Sequence, residues 1–127
     1  MPSQPLSDMQ LAFMRALWEL GEANVAQMQA QLATNGQILA VTTVATVLRR
    51  MEKKSWVAHR SEGRQFVYRA VLSQEKMGAS VLSRITDALY GGNVGALLAQ
   101  LIGSDSVDAA DLAEVKRLIA DKERRNG

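Results

Sequence analysis

The sequence predicts a mainly α-helical fold with one small β-hairpin: a winged helix-turn-helix unit over residues 1–72, then a purely helical unit over 73–127. Three observations carry this. Apolar residues recur at helical spacing in three short stretches before Ser55. Between Trp56 and Arg69 the period drops to two, on both sides of a glycine-containing turn. From Ser73 onward the helical period returns and persists.

The first helix is expected from Ser7 to Leu20. Ser7 with Gln10 reads as a capping box, and Gly21 as the stop. Met9, Phe13, Leu17 and Leu20 form its inward stripe, with Trp18 flanking. Asn24 with Gln27 repeats the capping pattern for a second helix that runs to about Thr34, with Val25, Met28 and Leu32 as its apolar edge. Asn35-Gly36 breaks it, since both residues tolerate positive φ.

A third helix is expected from Val41 to about Lys54. Val44, Val47, Leu48 and Met51, at i, i+3, i+4 and i+7, make one buried stripe. Its other side carries Thr42, Thr43, Thr46, Arg49, Arg50, Lys53 and Lys54, with Glu52 as the one acid. Hydroxyls at the start and cations at the end suit a helix laid in a DNA major groove. Three short helices with tight connections are the helix-turn-helix layout. The strands around Ser61-Glu62-Gly63-Arg64 then form the wing, whose tip presents Arg60 and Arg64. Phe66 and Tyr68 belong to the wing's inner face, Trp18 and Trp56 to packing, and His59 to a phosphate contact or to solvent.

In the second half, Ser73 opens a helix to about Tyr90, with Met77, Val81, Ile85 and Leu89 at i+4 spacing and Leu82 widening the face. Gly91-Gly92-Asn93 interrupts the chain. Val94 to Ile102 is apolar nearly all round and is expected to be buried. Ser106 or Asp108 caps a last helix from Ala109 to about Arg124, with Leu112, Val115, Leu118 and Ile119 inward. Such helices find cover on a second copy of the chain or by folding back on the first unit; the dimer is favoured. Its contact residues would be Val81, Leu82, Ile85, Leu89, Leu97, Leu98, Leu101, Leu112, Val115, Leu118 and Ile119.

The bulk numbers agree with a nucleic-acid partner. Net charge is +2, but residues 1–72 hold eight Lys/Arg against five Asp/Glu, whereas 73–127 hold seven against eight. Between Arg49 and Arg69 seven cations face only two acids, Glu52 and Glu62. A local basic surface favours a polyanion; the alternative is a solvated charged face, the usual fate of Lys/Arg runs. No apolar run approaches the ~20 residues that span a bilayer, and MPSQPLSDMQ lacks the pattern of a secretory signal, so membrane insertion is not expected and the cytoplasm is the default. The chain has no cysteine and one histidine, which removes thiolate metal sites and a cysteine nucleophile. No Gly-rich phosphate loop appears, since Gly91-Gly92 lacks a following Lys-Ser/Thr. An enzyme, a metal site and a cofactor are therefore not expected. The alternative function is a winged-helix adaptor that binds protein rather than DNA, which predicts a third helix without a basic stripe.

The segments LSDMQLAFMRALWELG, TTVATVLRRMEKKSWV and HRSEGRQFVYRAV, followed by YGGNVGALLAQLI and DLAEVKRLIADKE, resemble the BlaI/MecI/CopY group of bacterial repressors. The resemblance covers Leu6 to about Arg124. It implies a homodimer on a palindromic double-stranded DNA operator, repressing nearby genes. It places DNA contacts at Thr42, Thr43, Thr46, Arg50 and Arg64; well-known members carry lysine at the position of Thr42. In the β-lactam branch, a membrane sensor-protease signal leads to cleavage between Asn and Phe. The matching bond here is Gln100-Leu101, so the pair has changed. The copper branch uses a cysteine motif that this chain lacks.

Overall fold

A computed structural model of the chain describes residues 7–127, so Leu6, where the resemblance begins, lies outside the described residues. The chain divides between Gly78 and Ala79 into two compact units.

The first unit holds α1 (Asp8–Leu20), β1 (Glu22–Ala23), α2 (Val25–Thr34), α3 (Val41–Lys53), β2 (Val57–Glu62), β3 (Gln65–Ala70) and the start of α4 (Gln74–Tyr90). Both capping boxes form: Ser7 Oγ accepts from the Gln10 N–H at 3.0 Å, and Asn24 Oδ1 from the Gln27 N–H at 2.8 Å. Each satisfies donors that a helix start leaves free. At the end of α2 only Gly36 takes positive φ (95°), while Asn35 stays at −87°. The Gly36 and Gln37 N–H groups reach back to Ala33 and Leu32, the Schellman pattern.

The core is built from Phe13, Met14, Ala16 and Leu17 of α1, Met28 and Leu32 of α2, Val44, Leu48 and Met51 of α3, and Val57 of β2. The inward face of α1 is wider and shorter than the expected stripe. Met14 and Ala16 are buried, whereas Met9 and Leu20 are exposed. α1 packs against α2, α3 and the sheet, and so buries Met14 and Ala16 beside Phe13 and Leu17. Val25 and Val47 sit half-buried at the core's edge.

The sheet has three antiparallel strands in the order β1-β3-β2. Glu62 pairs with Gln65 across a two-residue turn, with Gly63 at φ 63° in its first position, as a glycine-first hairpin requires. The two-residue β1 was not expected; it pairs Glu22 with Arg69 and Ala23 with Tyr68. Trp18 Nε1 donates to the Leu72 carbonyl at 2.9 Å, tying α1 to the chain as it leaves the sheet.

The second unit contains the rest of α4, then α5 (Val94–Ile102) and α6 (Ala109–Asn126). Asn93 caps α5, and Asp108 rather than Ser106 caps α6, forming a capping box with Asp111. The expectation that α5 is buried fails within one chain: none of its residues is buried, and Val94 and Leu98 are 58% and 50% exposed. Leu82, Ile85, Leu89, Leu101, Leu118 and Ile119 are exposed as well, while Val81, Leu97, Leu112 and Val115 are half-buried. Two and a half helices enclose too little volume to dry both sides of an all-apolar segment.

Candidate nucleic-acid interface

Helix α3 is sharply two-sided. Val44, Leu48 and Met51 are fully buried, and Thr42, Thr43, Arg49, Arg50 and Lys53 are exposed on the opposite side. Its N-cap is Ala40, which has no side chain to bond the first-turn N–H groups. Its C-terminus closes in a Schellman turn: the Ser55 N–H reaches Glu52 and the Trp56 N–H reaches Met51. This forces Ser55 to φ 65°, the left-handed region that costs a residue with a Cβ.

The outward side chains are not equally free. Thr46 Oγ1 donates to the Thr42 carbonyl at 2.8 Å and accepts from Arg49 Nη2 at 3.4 Å. That leaves Thr46 mainly its methyl for a partner. Lys54 Nζ lies 4.8 Å from the centre of the Trp56 ring, a cation–π contact that holds it near the domain. Among the described residues, the side chains of Thr43, Arg50, Lys53 and Arg64 make no hydrogen bond or ion pair.

The wing's two arginines differ. Arg64 occupies the turn and is exposed. Arg60 is not the free tip cation that the sequence suggests. Its guanidinium donates to Glu22 Oε1 at 2.8 Å and Glu62 Oε2 at 2.5 Å. The two carboxylates hold its already high pKa higher still. Glu22 reaches it because β1 lies in the same sheet.

His59 also departs from expectation. It is not a freely solvated side chain: Nδ1 lies 2.8 Å from both carboxylate oxygens of Glu52 on α3. Its ring stacks on Phe66 at 4.0 Å and 17°, and tilts against Tyr68 at 5.5 Å. Tyr68 is buried, and Phe66 is 46% exposed. Burial, then the negative Glu52, push the Tyr68 phenol above its ordinary pKa, and Arg49 opposes them. One signal for this cluster was in the sequence: His59 shares its strand face with the apolar Val57, so it points inward.

These residues therefore form a surface of free donors and cations on α3 and the turn, backed by an acid–aromatic cluster that joins α3 to the wing. Residues 6–121 match the family described as penicillinase repressor. The chain belongs to the penicillinase repressor family. It is a DNA-binding transcriptional repressor with a winged helix. The penicillinase repressor of Bacillus licheniformis is 21% identical over 120 residues, spanning 94% of this chain and 93% of that protein. A CopR repressor structure is 36% identical over 55% of this chain and 100% of its own, with a TM-score of 0.43. A MarR family protein from Bacillus stearothermophilus, at 19% identity over 96% of this chain and 76% of its own, superposes with a TM-score of 0.53 and shares the fold. No helix among the described residues of this repressor is long and apolar enough to cross a membrane.

Proposed function

We propose that this family member works in the cytoplasm as a homodimer that lays α3 of each copy in the major groove of a palindromic operator. Residues 1–72 would bind DNA and residues 73–127 would hold the dimer. The reading is carried by one observation: α3 buries Val44, Leu48 and Met51 completely, while Thr43, Arg50 and Lys53 on its other side are left without partners. Thr43, Thr46 and Arg50 lie along one line of about 10 Å at ~1.5 Å per residue, the length over which a helix touches bases. Thr42 and Thr43 offer hydroxyls, Thr46 its methyl, and Arg50 a guanine or phosphate contact. Arg49, Lys53, Lys54 and Arg64 supply positive charge toward the backbone.

The exposed apolar residues of α4, α5 and α6 support the dimer, because a monomer rarely leaves so many aliphatic side chains wet. Two half-sites would then lie about 34 Å apart, or a multiple of it. A sensor-protease partner would act at Gln100-Leu101, both exposed on α5, and cutting there would release the operator by splitting the dimer.

Selection of bound duplexes from a randomised pool tests the reading. An enriched inverted repeat with half-sites one turn or more apart is the expected result. A pool that stays random, with no DNA retained even in dilute buffer, would overturn it.

A further inference from the structure

Between α3 and the wing lies a cleft of about 450 Å³, within the range of small-ligand sites. Val41 and Ala45 form one wall, Phe66 and Tyr68 another, and Arg49 and Arg64 stand at it as well. No carboxylate lines it among the described residues. We propose that this cleft binds a planar aromatic carboxylate, which draws Arg49 and Arg64 onto itself and so removes them from DNA.

Each part of that ligand answers a feature of the wall. His59 covers one face of the Phe66 ring at 4.0 Å, so the exposure Phe66 retains comes from its other face and edge, which offer a stacking surface. Tyr68 also lines the cleft, but at 2% exposure it adds little surface of its own, so Phe66 is the stacking face. Arg64 has no ion pair, and Arg49 has only its long contact with Thr46. Guanidinium groups pair with carboxylates in a planar, two-bond geometry. A phosphodiester would use the arginines but leave the aromatic and aliphatic walls idle. The apolar lining thus favours a ring-bearing anion over a bare phosphate. The regulatory half of the proposal rests on the operator reading above; the binding half does not.

The test is calorimetric titration of the full-length protein with 2-naphthoate, with 2-naphthalenemethanol and inorganic phosphate as comparisons. Naphthoate is expected to bind with a dissociation constant on the order of 1 mM or tighter, and the other two far more weakly. Phe66→Leu and Arg64→Gln should each weaken it roughly tenfold, and Arg60→Gln, outside the cleft, should not. Naphthoate should shift the NMR signals of Phe66 and Tyr68 and raise the apparent dissociation constant for the selected duplex. Absence of naphthoate binding overturns the proposal. So does phosphate binding of equal strength that ignores Phe66→Leu, or an equal loss with Arg60→Gln. Naphthoate that binds without weakening DNA overturns the regulatory half. If the protein holds no DNA at all, the operator reading has failed, and the titration still decides the cleft.

Discussion

The Glu52 carboxylate on α3 meets Nδ1 of His59 on β2 at 2.8 Å through both its oxygens. The pair couples the helix that faces DNA to the strand that carries the wing. Each side chain is less than a third exposed (28% and 32%), so solvent screens the contact only in part. A double-mutant cycle with Glu52→Ala and His59→Ala, read by chemical denaturation, is expected to show coupling of about 0.5–1 kcal/mol. Additive single effects would show that the two elements are held by packing alone.

Cations in the interface should separate by their partners. Arg64→Ala is expected to lower the slope of log affinity against log salt by ~0.9, one phosphate contact, and Arg50→Ala to do the same if Arg50 grips phosphate rather than guanine. Arg60→Ala should change that slope far less, because Glu22 and Glu62 already occupy its guanidinium. Fluorescence anisotropy across a salt series measures all three. Equal slopes for the Arg60 and Arg64 variants would contradict the assignment.

Ser55 is the one non-glycine among the described residues with positive φ. Replacing it by glycine relieves the Cβ at the Schellman position but adds freedom to the unfolded chain. The net expectation for Ser55→Gly is a gain of a few tenths to about 1 kcal/mol. Thermal unfolding checks this, and a loss of stability would show that the Ser55 hydroxyl matters more than its backbone.

Leu98→Asp places a charge on the exposed face of α5. The expected outcome is a monomer in sedimentation, with operator affinity reduced by on the order of 10² to 10⁴ as the linkage between half-sites is lost. The first unit should keep its fold. A variant that sediments as the native protein would remove α5 from the dimer contact.

Glu19 joins α1 to α2 by accepting from Asn35 at 2.9 Å and Gln31 at 3.2 Å. The Asn35 bond, then the Gln31 bond, hold its carboxyl below the usual range. A depressed carboxyl stabilises the fold above its unfolded pKa, and that contribution disappears as pH falls through the folded value. The Tm of the native chain should therefore drop more steeply than that of Glu19→Gln between about pH 5 and about pH 3. Parallel curves would show that Glu19 carries no linked proton.

What could be read in the sequence was what neighbouring residues decide among themselves. Ser7 with Gln10 and Asn24 with Gln27 each settle a helix start within three positions, and Val44, Leu48 and Met51 orient α3 without reference to any other element. The features that escaped depend on residues far apart in the chain. β1 has two residues and no periodicity of its own; it exists because β3 offers it an edge. Arg60 looked free because Glu22, 38 positions away, becomes its neighbour only once that edge is filled. The apolar character of α5 was plain, yet its burial could not follow, because one copy of the chain does not supply the cover.

Strand β3 lies in the middle of its sheet, flanked by β1 and β2, and Tyr68 within it is 2% exposed. Such a strand cannot slide: moving it by one residue would turn Tyr68 outward and unmake two ladders together. Variation in length among wings of this design should therefore collect at the Gly63-Arg64 tip, where an added residue disturbs neither neighbour. The reach of the wing toward a duplex can drift over generations while its root stays still.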